Sequence, residues 1–193
     1  MLHELAKSRN WAGLHVADNS CFHYRRRLML GMLDNAMKEQ DLIARSAEVE
    51  SLSVVWKEEL DWNEILIRRY IGREALWLHR GFLSICWAEK LIGYFSILDN
   101  GEATLGHAGN RLSMFVEHEL RLHHLCSSVQ DSEFDDYIKQ AVLSAAYILH
   151  LHMQFSGRLR IQVVDKRQAD DLRTLLHHVC PEKNWVWDYF LQT

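Results

Sequence analysis

The stretch Gly72-Arg73-Glu74-Ala75-Leu76-Trp77-Leu78-His79-Arg80 decides the fold, and Asp18-Asn19-Ser20-Cys21-Phe22-His23-Tyr24-Arg25 is its weaker echo. Each sets a large aromatic three residues before an arginine. Positions three apart on a helix share a face, so Trp77 lies beside Arg80 and Phe22 beside Arg25. The two stretches are about 55 residues apart, a spacing that points to a repeat.

Around this pair the chain reads as all-α. Its 193 residues hold one proline, Pro181, and nine glycines, too few for many short strands and tight turns. A quarter of the residues are charged and nearly half are apolar, ordinary values for a soluble globular protein. Net charge is −4, with basic and acidic residues interleaved, which argues against nucleic acid as the main partner. The one basic run, Arg25-Arg26-Arg27, reads as a helix side with one buried and two solvated arginines. The four cysteines are widely spaced and no leader is evident in the first thirty residues, so reduced thiols in a cytoplasmic setting are expected. The most apolar segment, Ala141 to Leu151, is too short for a membrane span and carries His150.

In chain order, residues 1–16 read as a helix, with Leu2, Leu5, Trp11, Leu14 and His15 spaced for one side of a helix or of a helix pair. Asp18, Asn19 and Ser20 are N-cap candidates for a helix from Cys21 to Met37, with Phe22, Arg25, Met29, Met32 and Leu33 on one side. The charged residues 38–48 are either helix continuation or an exposed connection. A helix from Val49 to Ile71 follows, with a possible break at Asp61, where Asp61-Trp62-Asn63-Glu64 has capping-box spacing. Gly72 ends it in the left-handed conformation, and the motif helix runs from Arg73 to about Glu89. Two antiparallel helices so joined form an αα-hairpin. Leu91 to Leu98 is the tail of that helix or an ordered loop, and residues 100–109 are the linker candidate. Helices are expected from Arg111 to Cys126, from Glu133 to Phe155 with Gly157 closing it, and from Gln168 to Val179. The aromatic tail Trp185, Trp187, Tyr189, Phe190 and Leu191 is expected to dock on the preceding hairpin. The chain is thus one all-α domain, 1–193, with recognisable repeats in 1–90 and further helices in 108–193 closing the stack.

No self-contained active site is legible. Adjacent histidines on a helix diverge, and His118, His123 and Cys126 lack a fourth ligand at zinc-finger spacing. Cys21 and His23 are two apart and face apart, which disfavours a thiolate pair. The paired carboxylates Glu58-Glu59, Asp135-Asp136 and Asp170-Asp171 read as solvated helix faces. The aromatic-x-x-Arg pairs are different. Each ring fills the space between stacked hairpins, and each arginine ties off carbonyls of a neighbouring turn, with cation–π contact helping to hold the guanidinium.

This pattern resembles the helical repeat of protein prenyltransferase α subunits, where an Asn-Tyr-x-x-Trp-x-x-Arg helix recurs. Asn10 to Arg25 is similar to one repeat; Glu58 to Tyr70 followed by Gly72 to Arg80 is similar to the next. The resemblance implies a right-handed superhelix of αα-hairpins, a solenoid of the tetratricopeptide kind. It implies an α-type subunit of a heterodimeric transferase, not catalytic alone, that attaches an isoprenoid to an acceptor-protein cysteine. The zinc ion and most of the prenyl cavity then belong to the partner β subunit, with no cofactor in this chain. The prenyl diphosphate is shared with that partner, whose zinc activates the acceptor thiol. Phe22, Arg25, Trp77 and Arg80 are the structural motif residues, while Asp18, Asn19, Arg73 and Glu74 are the candidates to face partner or substrate.

Several positions depart from the family pattern. Asp18-Asn19 and Arg73-Glu74 stand where the family has Asn-Tyr, and Phe22 replaces tryptophan. Gly81 replaces a second arginine, and Ala17 and Gly72 stand where some repeats carry lysine. With two clear repeats, the chain is expected to be the C-terminal portion of a longer protein or a shortened paralogue. The other reading is a helical-repeat scaffold acting only in protein–protein interaction.

Overall fold

The computed structural model describes residues 1–92, 105–128, 135–159 and 163–179, together with 181, 185 and 188. Among these every regular element is helical: α1 (Leu2–Leu14), α2 (Asn19–Lys38), α3 (Leu42–Arg69), α4 (Glu74–Cys86), a π-helical segment (Trp87–Ile92), α5 (Leu105–Ser127), α6 (Asp135–Leu159) and α7 (Lys166–Val179). The all-α reading holds. The chain divides into two compact units, Met1–Trp87 and Ala88–Thr193.

In the first unit, α1 packs on α2, α2 on α3 and α4, and α3 on α4. Asp18 caps α2 by accepting the Ser20 amide at 2.8 Å. The buried stripe of α2 is Phe22, Arg25, Met29, Met32 and Leu33, at spacings of three and four. Residues 39–41 break the chain, and Asp41 then caps α3 by accepting the Ile43 amide at 2.9 Å. Most of the charged stretch after Lys38 is therefore the first turns of α3.

Three helical expectations need correction. No break occurs at Asp61: α3 is continuous for 28 residues, held by burial of Glu59, Leu60 and Asn63 on either side of that position. On α1, Leu5 and Ala12 are buried, whereas Leu2, Trp11 and Leu14 are exposed. At 100° per residue Leu5 and Ala12 share a face that Trp11 and Leu14 do not. The motif helix ends at Cys86 and widens to π geometry, beginning where the Trp56 indole N–H donates to the Leu83 carbonyl at 3.0 Å. That carbonyl is the one a continuing α-helix would offer to Trp87 alone. Gly72 takes φ 73°, the left-handed turn between α3 and α4.

In the second unit, α5 packs on α6 and α6 on α7. Leu105 opens α5 inside the stretch read as a linker, and Gly157 stays helical because α6 runs to Leu159. A helical glycine costs about 1 kcal/mol relative to alanine, too little to stop a well-packed helix. Phe155, Leu151 and Ile148 are fully buried on α6, and Leu172 and Leu176 are buried on α7. Of the aromatic tail, Trp185 is 76% exposed, so that ring does not dock. Asp188 accepts from Arg173 at 2.7 Å and pairs with His177 at 3.1 Å. Trp187, Tyr189, Phe190, Leu191 and most of 91–98 lie outside the described residues.

Candidate functional site

The chemistry of the first unit concentrates where its two hairpins meet. Arg25 sits on the buried stripe of α2, 1% exposed, and reaches both α1 and α3. Its Nε and Nη2 donate to both carboxylate oxygens of Glu59 on α3, at 2.7 and 2.6 Å. Its Nη1 donates to the Leu5 carbonyl at 2.7 Å and to Ser8 Oγ at 2.8 Å on α1. The ring beneath its guanidinium is Trp62, 4.7 Å away, and Arg9 of α1 lies 5.1 Å from the same ring. The cation–π partner of Arg25 is thus Trp62, from the next hairpin.

Glu59 also meets His79 of α4, whose Nε2 is 3.0 Å from its Oε1. Burial by itself would raise the Glu59 pKa; hydrogen bonds from His79 and Arg25, with the guanidinium charge, outweigh it and hold it at about 2. An ionised carboxylate only accepts, so His79 Nε2–H is the donor. Burial pushes the His79 pKa down, against the opposing pull of Glu59. The neutral tautomer with hydrogen on Nε2 leaves Nδ1 as a bare acceptor, and Nδ1 has no hydrogen-bond partner. A protonated ring would bury an N–H donor there instead, at greater cost. The pairing of Glu59 with Glu58 in the sequence suggests a solvated carboxylate, and the structure corrects this. Glu59 is 3% exposed and lies on the stripe Leu52, Trp56, Glu59, Asn63, Leu66, a spacing visible in the sequence.

The second motif repeats the first. Arg80, 1% exposed, donates through Nη1 to the Leu60 carbonyl at 2.7 Å, as Arg25 does to Leu5. Tyr24 Oη donates to Glu4 Oε1 at 3.2 Å, as His79 Nε2 does to Glu59 Oε1 at 3.0 Å. Helix ends, N-caps, aromatics, arginines and their acceptors all recur 55 residues apart: Leu14 and Arg69, Asp18 and Arg73, Phe22 and Trp77, Leu5 and Leu60. The first unit is therefore an internal repeat of an αα-hairpin. Phe22 and Trp77 are buried on equivalent faces.

The four residues singled out before the motifs lie at the surface. Asp18, Asn19, Arg73 and Glu74 are exposed, at the N-termini of α2 and α4. Asp18 spends one oxygen on the α2 cap, whereas Arg73 occupies the N-cap of α4 without a side-chain capping bond.

The remaining candidates are engaged elsewhere. Cys21 is buried, and desolvation raises its thiol to about 11, the reverse of an activated nucleophile. His118 lies beside Glu119, His123 against Ser144, and Cys126 accepts from Gln140 Nε2 at 3.5 Å. Among the described residues no three of His, Cys, Asp and Glu come together in a set suited to a metal ion. In the second unit, Glu119–Tyr147, His123–Ser144 and Cys126–Gln140 form a polar ladder between α5 and antiparallel α6, at i, i+4, i+7 on both helices. Tyr147 Oη donates to Glu119 at 2.7 Å. The Ser144 hydroxyl donates to the Ala141 carbonyl at 2.8 Å, so it receives the His123 Nδ1–H and that nitrogen does not act as its base. His123 also lines a cleft of about 590 Å³ with Leu120, Leu172 and Leu175. Burial lowers the His123 pKa to about 4.

Residues 1–32, which form α1 and the first part of α2, match the protein prenyltransferase alpha subunit repeat. The chain is 32% identical over 101 residues to protein prenyltransferase alpha subunit repeat-containing protein 1-A of Xenopus laevis, covering 42% of this chain and 23% of that one. It is 31% identical over 101 residues to protein prenyltransferase alpha subunit repeat-containing protein 1 of Homo sapiens, covering 42% and 25%. For the Danio rerio protein of that name the identity is 29% over 102 residues, covering 45% and 24%. The chain thus spans about a quarter of the length of the curated relatives it matches. No solved structure matches it. No described helix is long and apolar enough to cross a membrane.

Proposed function

We propose that this chain, which carries a protein prenyltransferase α-subunit repeat, is an α-subunit-like component of a cytoplasmic heterodimeric protein prenyltransferase. It acts with a β subunit that holds the zinc ion and most of the prenyl pocket. Together they transfer an isoprenoid from a prenyl diphosphate to a cysteine of an acceptor protein. The observation that carries this reading is the match of residues 1–32 to that repeat, on the same hairpin whose contacts recur in α3–α4. The aromatic-x-x-Arg residues hold the stack, and the exposed Asp18, Asn19, Arg73 and Glu74 are left to face the β subunit or the acceptor.

Co-expression with a prenyltransferase β subunit tests this: the two chains are expected to co-purify as a 1:1 complex. Failure to co-purify with any such subunit would remove the proposal.

A second reading has one observation in its favour. Arg25 spends its hydrogen bonds on Glu59, Leu5 and Ser8, and thus on holding hairpins together, as a scaffold without transfer activity would need. Substituting the Asp18/Asn19 and Arg73/Glu74 pairs separates the two. Loss of transfer with the fold intact supports the transferase component.

A further inference from the structure

The 55-residue repeat places each residue of the first hairpin at the same position as a residue of the second, and burial differs between them at one face. On α3–α4, α1–α2 covers Glu59 and His79. Glu59 there is 3% exposed, His79 is fully buried and Leu66 is 5% exposed. Arg25 pairs with Glu59, and Phe22 lies 5.1 Å from the His79 ring. The equivalent residues on α1–α2 are Glu4, Tyr24 and Trp11. Tyr24 is 45% exposed, Trp11 is 51% exposed, and Glu4 is half-buried. Tyr24 Oη orients the Glu4 carboxylate at 3.2 Å, as His79 orients that of Glu59. Two exposed aromatics and a half-buried, oriented carboxylate thus stand at positions that are buried in the next copy.

We propose that this face, centred on Glu4, Tyr24 and Trp11, docks a partner αα-hairpin of the same repeat class. That hairpin presents an arginine, three residues after an aromatic, to Glu4 in the way Arg25 is presented to Glu59. The partner's aromatic covers Tyr24 as Phe22 covers His79. The contact continues an interface already present inside the chain, and it does not depend on prenyl transfer. Stacked repeats gain their stability from such nearest-neighbour interfaces.

The probe is the chain's own first period, residues 1–55, fused directly ahead of Met1 of the full chain. The fused segment joins α1 in the register in which residues 42–55 join the rest of α3. A second fusion carries Lys7→Trp and Arg27→Phe, which restore the equivalents of Trp62 and Phe82. In at least one fusion the thermal midpoint is expected to rise by about 4 °C or more. Glu4→Gln is expected to cancel most of that rise while shifting the unfused chain by about 1 °C or less. The inference is overturned if neither fusion gains stability, or if Glu4→Gln has the same effect fused and unfused. A fusion pair that fails to fold counts against it as well, since the face would then reject the hairpin type it is said to accept.

Discussion

Arg25 and Glu59 form a two-point ion pair at 2.6 and 2.7 Å, 1% and 3% exposed, which joins the second helix of one hairpin to the first helix of the next. Removing one partner leaves a buried charge uncompensated, a loss of about 3–5 kcal/mol. Arg25→Met or Glu59→Leu alone is therefore expected to destabilise by that amount in urea unfolding. The double variant is expected to recover most of the loss, giving a large coupling in the mutant cycle. Additive losses would mean that the two residues act separately.

Buried histidines, one in each unit, give a pH dependence with a definite sign. His79 and His123 have folded pKa values below the ordinary 6.5, the latter at about 4, both because of burial. Below pH 6.5 the unfolded chain binds these protons more readily, so their contribution is complete above pH 6.5 and is lost as pH falls from there. Glu59 follows: its pKa of about 2 against an ordinary 4.5 contributes stability above pH 4.5 that is lost as pH falls toward 2. Urea midpoints are expected to drop between pH 6.5 and 4 and again below 4.5. His123→Asn is expected to flatten the first drop.

Gly72 is a sharp test of the hairpin turn. At φ 73° a Cβ costs about 1–2 kcal/mol, so Gly72→Ala should lower stability by about that much and Gly72→Asn by less. Equal effects would show that the left-handed conformation is not what the position requires.

The polar ladder of the second unit is tested at Tyr147. Tyr147→Phe removes the donor to the buried Glu119 and is expected to destabilise by about 1–3 kcal/mol, read by thermal unfolding. An unchanged midpoint would show that the Glu119 carboxylate does not depend on this donor.

The motif helices and their terminator were legible because they rest on local chemistry. Asp18 is a capping residue, Gly72 takes the left-handed turn, and Phe22 and Arg25 fall on one helical stripe. What escaped depended on contacts between helices. Glu59 and Glu58 look alike as a pair, yet they point about 100° apart, and one falls on the buried stripe. Trp62 has the local spacing of a cap but packs across to Arg25 and Phe22, which no local pattern encodes. The expected face of α1 failed for a related reason. Trp11 and Leu14 are large and apolar, yet the helical period sets them away from Leu5 and Ala12. The correspondence of Glu4 with Glu59 became visible only through the recurring hydrogen bonds.

The exposed N-terminal positions require variants that spare the fold. Asp18→Ala would cost a helix cap, about 1 kcal/mol, and confuse the result; Asp18→Ser keeps it. Asp18→Ser with Asn19→Ala, and separately Arg73→Ala with Glu74→Ala, are expected to leave the thermal midpoint within a few degrees. Each pair should weaken association with the β subunit by about tenfold or more in titration. Unchanged affinity in both would place the partner contact elsewhere.

The most direct measurement is prenyl transfer itself. The purified chain, a prenyltransferase β subunit, a prenyl diphosphate and an acceptor protein ending in a cysteine-containing motif are combined, and the acceptor mass is followed. An acceptor heavier by one isoprenoid group, formed only when both subunits are present, is the expected result. A stable complex that leaves the acceptor unmodified with every β subunit and prenyl diphosphate tried would contradict it.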